Sequence, residues 1–130
     1  MPTFGTKSRQ AVNTLDEDLK DLLNKAIEGV DFSVVWGHRD MEAQNTAFAE
    51  GNSRNRWPTS KHNSYPAIAF DVVPYPHGYN APYRAFFEMA TYILAAASEQ
   101  GVALRWGGHW KNYTGKGLND RDWAHFEMIT

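Results

Sequence analysis

Three polar side chains stand where an ordinary hydrophobic core would not place them. Asp71 interrupts the apolar run of residues 67–73, and His125 lies inside a mostly apolar segment near the C-terminus. His62 precedes Asp71 by nine positions, in a polar segment. A buried carboxylate without a partner is unfavourable, so Asp71 needs a cation, a metal or strong donors. Because the chain has no cysteine, two histidines and one aspartate are a plausible zinc set that leaves a fourth position for water.

Each of these residues also has an ordinary structural explanation. A histidine in a strand often satisfies its hydrogen bonds within the core, and Asp71 could pair with Arg39 or Arg105. The chain contains no compact metal pattern such as His-Glu-x-x-His. The residues alone therefore leave a metal site and a structural ion pair as open alternatives.

Asp122 is the candidate for a carboxylate beside such a metal. It lies three residues before His125. In a regular strand, residues 122 and 125 point to opposite faces of the sheet. We therefore expect the backbone to bend at a turn near residues 120–122, where aspartate is a favoured residue type.

Length, composition and charge limit the classes of protein that can hold this site. The chain has 130 residues, of which 42% are hydrophobic and 22% charged, so we expect one folded domain over residues 1–130. The absence of cysteine excludes disulfides, iron–sulfur clusters and thiol catalysis. A net charge of −2 argues against nucleic-acid binding through a basic field. We expect no export signal and no membrane insertion, since no apolar stretch is long enough.

Hydrophobic periodicity and turn residues predict the elements that must position these side chains. The predicted helices are residues 15–27, capped by Thr14, residues 41–49, capped by Asp40, and residues 83–100. The predicted strands are residues 32–36, 67–73, 102–106 and 123–129. Two long loops, residues 51–66 and 107–121, separate them. The order helix, strand, helix, strand, helix, strand, strand predicts an α+β fold with a small, mostly antiparallel sheet and helices packed on it.

Four short motifs, in order along the chain, resemble those of one zinc peptidase family. Residues 60–71 resemble its Ser-x-His…Asp motif, and residues 122–127 resemble its acidic residue, two spacers and His. Gly37-His38-Arg39 with Gln44 is similar to an upstream Gly-x-Arg…Gln, and residues 105–108 resemble a Trp-Gly-Gly segment. The family is that of zinc D,D-carboxypeptidases and L-alanyl-D-glutamate endopeptidases (peptidase family M15). The chain resembles in particular a small single-domain phage endolysin.

This resemblance implies a role for each matched residue. His62, Asp71 and His125 would bind Zn²⁺, Asp122 would be the general base, and Arg39 would stabilise the oxyanion. The resemblance also implies a set of residues that would contact the substrate or orient the metal ligands: Ser60, Gln44, Trp106, Glu127 and His109. Packing is the alternative for Trp106, and a surface position is the alternative for Glu127 and His109. His38 and His77 have no assigned role.

The chain departs from the commonest family pattern at two points. Eight residues separate His62 from Asp71, which is more than usual and implies an enlarged loop. Asp122 stands where many members have Glu. Its shorter side chain requires the backbone to lie closer to the metal.

The resemblance implies a peptidase that cuts the peptide stems of bacterial peptidoglycan, at the L-Ala–D-Glu bond. A D-Ala-D-Ala carboxypeptidase or dipeptidase, and a non-catalytic zinc-stabilised cell-wall-binding module, are the alternatives. The expected partner is peptidoglycan, without nucleic acid, and we expect a monomer. The family further implies that the protein remains in the host cytoplasm until lysis. A membrane-permeabilising protein would then give it access to the cell wall.

Overall fold

An antiparallel four-stranded sheet and the helices packed on it form the fold of the computed structural model, which describes residues 2–109 and 122–129. The helices are α1 (Thr6–Val12), α2 (Glu17–Ala26), α3 (Met41–Ala49) and α4 (Tyr83–Gln100). The strands are β1 (Phe32–Trp36), β2 (Ala69–Pro74), β3 (Leu104–Trp106) and β4 (His125–Met128). Short 3₁₀ turns cover Gly78–Asn80 and Gly107–His109. The predicted α+β class with an antiparallel sheet is confirmed.

Strand β2 lies inside the sheet, whose order is β1-β2-β4-β3, and every residue of β2 is buried. Helix α4 packs against β2 and β3, α2 packs against α4, and α1 packs against β1. The rings of Phe70 in β2 and Phe126 in β4 stack at 5.2 Å, and Trp106 stacks on Phe126 at 6.1 Å. In the same register, Asp71 lies opposite His125. The apolar packing of β2 and β4 therefore also brings two of the candidate ligands together.

Helices α3 and α4 occupy the predicted residues because their ends have clear local signals. The Asp40 carboxylate accepts a hydrogen bond from the N–H of Ala43, at 2.8 Å, and caps α3. Helix α4 ends at Gly101, whose φ of 74° is the left-handed conformation that glycine adopts readily. In the described ranges, no helix is both long and apolar enough to cross a membrane.

The N-terminal helices differ from the prediction. Asp16, not Thr14, caps α2, since its carboxylate accepts from the N–H of Asp18. The Thr14 hydroxyl instead donates to the carbonyl of Ala11 and accepts from the N–H of His38. Helix α1 was not predicted at all. It is short, and a tertiary contact anchors it: the Ser8 hydroxyl accepts from the N–H of Val34 in β1.

Several strand boundaries were also predicted wrongly. Strand β2 begins at residue 69 and extends through Pro74, and β3 begins at residue 104. Strand β4 begins only at His125, because residues 123–124 form a turn in which the His125 N–H donates to the Asp122 carbonyl at 3.3 Å. Asp122 therefore lies before the strand. Of the predicted loop at residues 107–121, residues 107–109 form a 3₁₀ turn and the rest lies outside the described residues.

Gly37 joins the N-terminal helices to the site. A Cβ atom at this position would collide with the Thr14 hydroxyl and with the backbone carbonyl of Ala11. We expect Gly37→Ala to lower the free energy of unfolding by about 1–3 kcal/mol, because the backbone cannot move away without breaking these contacts. Urea denaturation measures this change. Gly5→Ala is the control, since a Cβ there meets no atom within 4 Å; equal stability of the two variants would contradict the prediction.

Candidate metal centre

His62, Asp71 and His125 converge at one buried point. Each residue offers a ligand atom, and these atoms all lie within 4.8 Å of one another. The three residues are at most 9% exposed. Asp71 comes from β2 and His125 from β4, whereas His62 comes from the long loop between α3 and β2. The loop is tied to the site because the Arg39 N–H donates to the His62 carbonyl at 2.8 Å.

The orientation of His62 leaves one ring nitrogen available. Its Nδ1 lies 2.8 Å from the carbonyl oxygen of Gly37, which can only accept, so Nδ1 carries the proton. Its Nε2 is buried, lies 3.3 Å from Asp71 Oδ1 and makes no hydrogen bond. A buried nitrogen lone pair without a donor is unfavourable, and a metal ion would satisfy it. The donor set therefore fits a metal.

His125 is held in the complementary orientation. Its Nε2 lies 2.8 Å from Glu127 Oε1, and its Nδ1 lies 3.0 Å from Asp71 Oδ1. The side chains of Lys61 and Arg105 pair with Glu127, at 3.2 Å and 2.8 Å. Burial lowers the pKa of His125, but its hydrogen bonds to Asp71 and Glu127 outweigh this and raise the pKa to about 10. The same bond to His125 lowers the pKa of Glu127 to about 2.

Asp71 uses its two oxygens differently. Oδ1 faces the two histidines, whereas Oδ2 lies 3.2 Å from the Arg39 guanidinium. Burial raises the pKa of Asp71, but its electrostatic interactions with the neighbouring His62 and His125 hold the pKa well below its usual range. The ion pair and the metal ligand, which the sequence left as alternatives, are thus compatible. Arg105 does not take this role and pairs with Glu127.

A buried amide holds Arg39 against Asp71. Arg39 is 6% exposed, its Nη1 donates to Gln44 Oε1 at 3.1 Å, and its guanidinium lies 4.9 Å from the centre of the Trp36 ring. Gln44 is fully buried and also accepts from Asn63 Nδ2 at 3.1 Å. Its amide nitrogen donates to the backbone carbonyl of Asn55. Gln44 therefore connects Arg39 to the loop that carries His62.

Asp122 and Tyr79 line a cleft of about 760 Å³ together with Arg39 and Asp71. The Asp122 backbone carbonyl packs so closely on Gly107 that a Cβ there would collide with it. Although Asp122 is exposed as a residue, loss of water around its carboxylate raises its pKa, and the charge of Asp71 raises it further. The N–H of Ala124 donates to the carboxylate and partly opposes this.

The remaining predicted residues lie around this centre in different environments. The Ser60 hydroxyl accepts from the His62 N–H at 3.2 Å. Trp106 is buried, and its Nε1 donates to the Trp123 carbonyl at 2.8 Å, so the packing alternative describes it. His109 is exposed with its ring 5.0 Å from that of Trp106, and it is not part of the metal group.

Two features around the centre were not predicted from the sequence. The hydrogen bonds of Gln44 to Asn55 and Asn63 join residues far apart in the chain, which periodicity does not reveal. Tyr79 is one of six tyrosines, and nothing in its neighbours distinguishes it. Its place in the cleft follows from the turn at Gly78–Asn80 that comes after β2.

The chain is similar to known peptidases both in sequence and in structure. The model of the phage L-alanyl-D-glutamate peptidase family matches residues 2–129. The crystal structure of the Serratia marcescens L-Ala D-Glu endopeptidase ChiX is similar, with a TM-score of 0.77 and 27% sequence identity. That match covers 98% of this chain and 90% of the other. No curated protein sequence matches significantly.

Removing a candidate ligand tests the metal assignment. We expect His62→Ala to bind metal at least about tenfold more weakly, because a buried ligand atom is lost. Elemental analysis after dialysis against a weak chelator measures the metal retained per chain. His77→Ala is the control, since His77 is exposed and outside the metal group. Equal metal content in the two variants would refute the assignment.

The raised pKa of His125 predicts that metal binding releases a proton. With a pKa of about 10, its imidazole is protonated at pH 7.5, whereas a metal ligand must be neutral. We expect about one proton per Zn²⁺ bound, measured by calorimetry in buffers of different ionisation enthalpy. Glu127→Gln removes a hydrogen bond that raises this pKa, so it should release fewer protons. Buffer-independent heats in the unsubstituted protein would contradict the prediction.

Proposed function

Because the chain belongs to the phage L-alanyl-D-glutamate peptidase family, we propose that it hydrolyses the L-Ala–D-Glu bond of peptidoglycan stem peptides with zinc held by His62, Asp71 and His125. The observation that carries this proposal is the buried His–Asp–His group beside a cleft that also contains Asp122 and Arg39. The similarity to the Serratia endopeptidase supports the same bond.

Zinc suits this donor set, and three protein ligands leave a position for water or substrate. Bound zinc would polarise the peptide carbonyl and make water a stronger nucleophile near neutral pH. The chain's own contribution is to fix the ligands. Gly37 sets the tautomer of His62, and Glu127 sets that of His125.

Asp122 is the proposed general base. Its carboxylate accepts a proton from the attacking water and then delivers a proton to the leaving amine. Loss of water and the charge of Asp71 raise its pKa above that of an ordinary aspartate. A raised pKa makes the carboxylate a better proton acceptor and lets it serve as an acid in the second step.

Arg39 has two connected roles in this proposal. It binds Oδ2 of Asp71, which leaves Oδ1 to face the histidines. Its positive charge also borders the cleft, where it would stabilise the negative charge that develops on the carbonyl oxygen. A purely structural metal site would require neither Arg39 at the cleft nor Asp122.

Family membership also supports a proposal about where in the cell the protein acts. We propose that the protein acts as a monomeric lytic enzyme on the wall of a phage's bacterial host. It would reach the wall from the host cytoplasm after another protein has opened the membrane.

The products of digestion test the bond. Mass spectrometry of digested muropeptides should reveal L-Ala retained on the muramic acid and released peptides that begin with D-Glu. Release of terminal D-Ala alone would instead support a D,D-carboxypeptidase. Intact stem peptides, with wall binding retained, would support a non-catalytic module.

Asp122→Asn separates metal binding from hydrolysis. We expect unchanged metal content and a rate of stem-peptide cleavage lowered by about 10²–10⁴-fold, because amide nitrogen cannot accept the proton. Muropeptide mass spectrometry and elemental analysis give the two values. Asp21→Asn, an exposed carboxylate on α2, is the matched control. Full activity in Asp122→Asn would exclude Asp122 as the base.

A further inference from the structure

The cleft contains a hydrogen-bond donor that the mechanism above leaves unused. Among the described residues that line it, four have neutral side-chain donors: Trp36, Thr46, Asn52 and Tyr79. Thr46 belongs to α3 and Asn52 follows that helix, and the Trp36 ring lies against Arg39. Tyr79 differs from these because its phenol interacts electrostatically with Asp71, Asp122 and Arg39 alike. Tyr79 therefore lines the same part of the cleft as the residues proposed to carry the reaction.

Arg39 presents little of its surface to the cleft, because it is buried against Gln44 and Asp71. Its Nη1 donates to Gln44 and its Nη2 donates to Asp71, and the residue is only 6% exposed. These bonds use two of the five N–H groups of the guanidinium and fix it in place, and its Nε is buried without a hydrogen-bond partner among the described residues. Its charge acts on the cleft, and a second, exposed donor would add a hydrogen bond to the developing oxyanion.

The backbone holds Tyr79 at the end of the strand that carries Asp71. The 3₁₀ turn at Gly78–Asn80 packs on β2, and the Ala81 N–H donates to the Gly78 carbonyl at 3.1 Å. Gly78 has a φ of 64°, a left-handed conformation that suits glycine. The turn leaves Tyr79 61% exposed as a residue and places it in the wall of the cleft, where a bound substrate can reach it.

We propose that Tyr79 is a further catalytic residue, whose phenol O–H donates a hydrogen bond to the carbonyl oxygen of the scissile peptide bond. This inference rests on the proposed peptidase function. Loss of water, together with the charges of Asp71 and Asp122, raises the pKa of Tyr79 to about 12, so the hydroxyl keeps its proton throughout the neutral range. A hydrogen bond to an oxygen strengthens as that oxygen gains negative charge. Tyr79 would therefore stabilise the transition state more than bound substrate.

Removing the hydroxyl tests this role. We expect Tyr79→Phe to lower kcat by about 10–100-fold and to change KM by less than about threefold. Its metal content and thermal midpoint should equal those of the unsubstituted protein, because the side chain is exposed. Tyr75→Phe is the matched control: Tyr75 is equally exposed, at 61%, but lies against Asp31 and the N-terminal segment, outside the cleft. It should retain both kinetic constants.

Each other result overturns the inference. A rise in KM with unchanged kcat would mean that Tyr79 only binds the substrate. Loss of metal or a lower thermal midpoint in Tyr79→Phe would indicate a structural role, and unchanged kinetics in Tyr79→Phe or Tyr79→Leu would indicate none. Failure of the peptidase function itself is distinguished by the unsubstituted protein, which would then leave every stem peptide intact.

Discussion

The buried charge of Asp71 is the constraint on which this structure depends. A carboxylate inside a central strand is costly unless both of its oxygens find positive or donating partners. Here Oδ2 meets Arg39, and Oδ1 meets His62 and His125. Strand β4, the loop before β2 and the segment between β1 and α3 each bring one of these partners. The fold around the site is therefore the arrangement that compensates one charge from three directions.

Each partner of Asp71 makes a hydrogen bond to a further residue, which fixes its orientation. Gly37 orients His62, Glu127 orients His125, and Gln44 orients Arg39. Each of these contacts satisfies a polar group that would otherwise be buried without a partner. These contacts with Gly37, Glu127 and Gln44 help to hold the three candidate ligand atoms close together, in addition to the interactions among the ligands themselves. This preorganisation is what a metal site requires of its surroundings.

The three residues of the candidate centre could be singled out from the sequence because Asp71 violates a local pattern and because the motifs resemble those of a known family. Asp71 stands out in an apolar run, and α3 and α4 have clear end signals in Asp40 and Gly101. Helix α1 and the true cap of α2 were missed because tertiary contacts decide them. Thr14 has the residue type of a cap, but its hydroxyl is used by Ala11 and the N–H of His38.

Tyr79 and the contacts of Gln44 were harder to predict than the ligands for a physical reason. A ligand must be a rare residue type in an unusual place, whereas a cleft wall only requires a side chain to lie near the site in three dimensions. Tyr79 reaches the cleft through the turn after β2, and Gln44 reaches Arg39 through the buried side of α3. Neither position has a one-dimensional signature apart from the upstream motif that contains Gln44.

The electrostatics of the cleft connect metal binding to the ionisation of Asp122. Asp71 raises the pKa of Asp122, because two carboxylates close together resist carrying charge at once. A divalent cation bound through Asp71 would oppose this repulsion and favour the ionised form of Asp122. The same cation would displace the proton from His125. Loading the metal would thus lower the proton affinity of Asp122 while it removes the proton from His125, so metal binding and the ionisation of both groups are coupled.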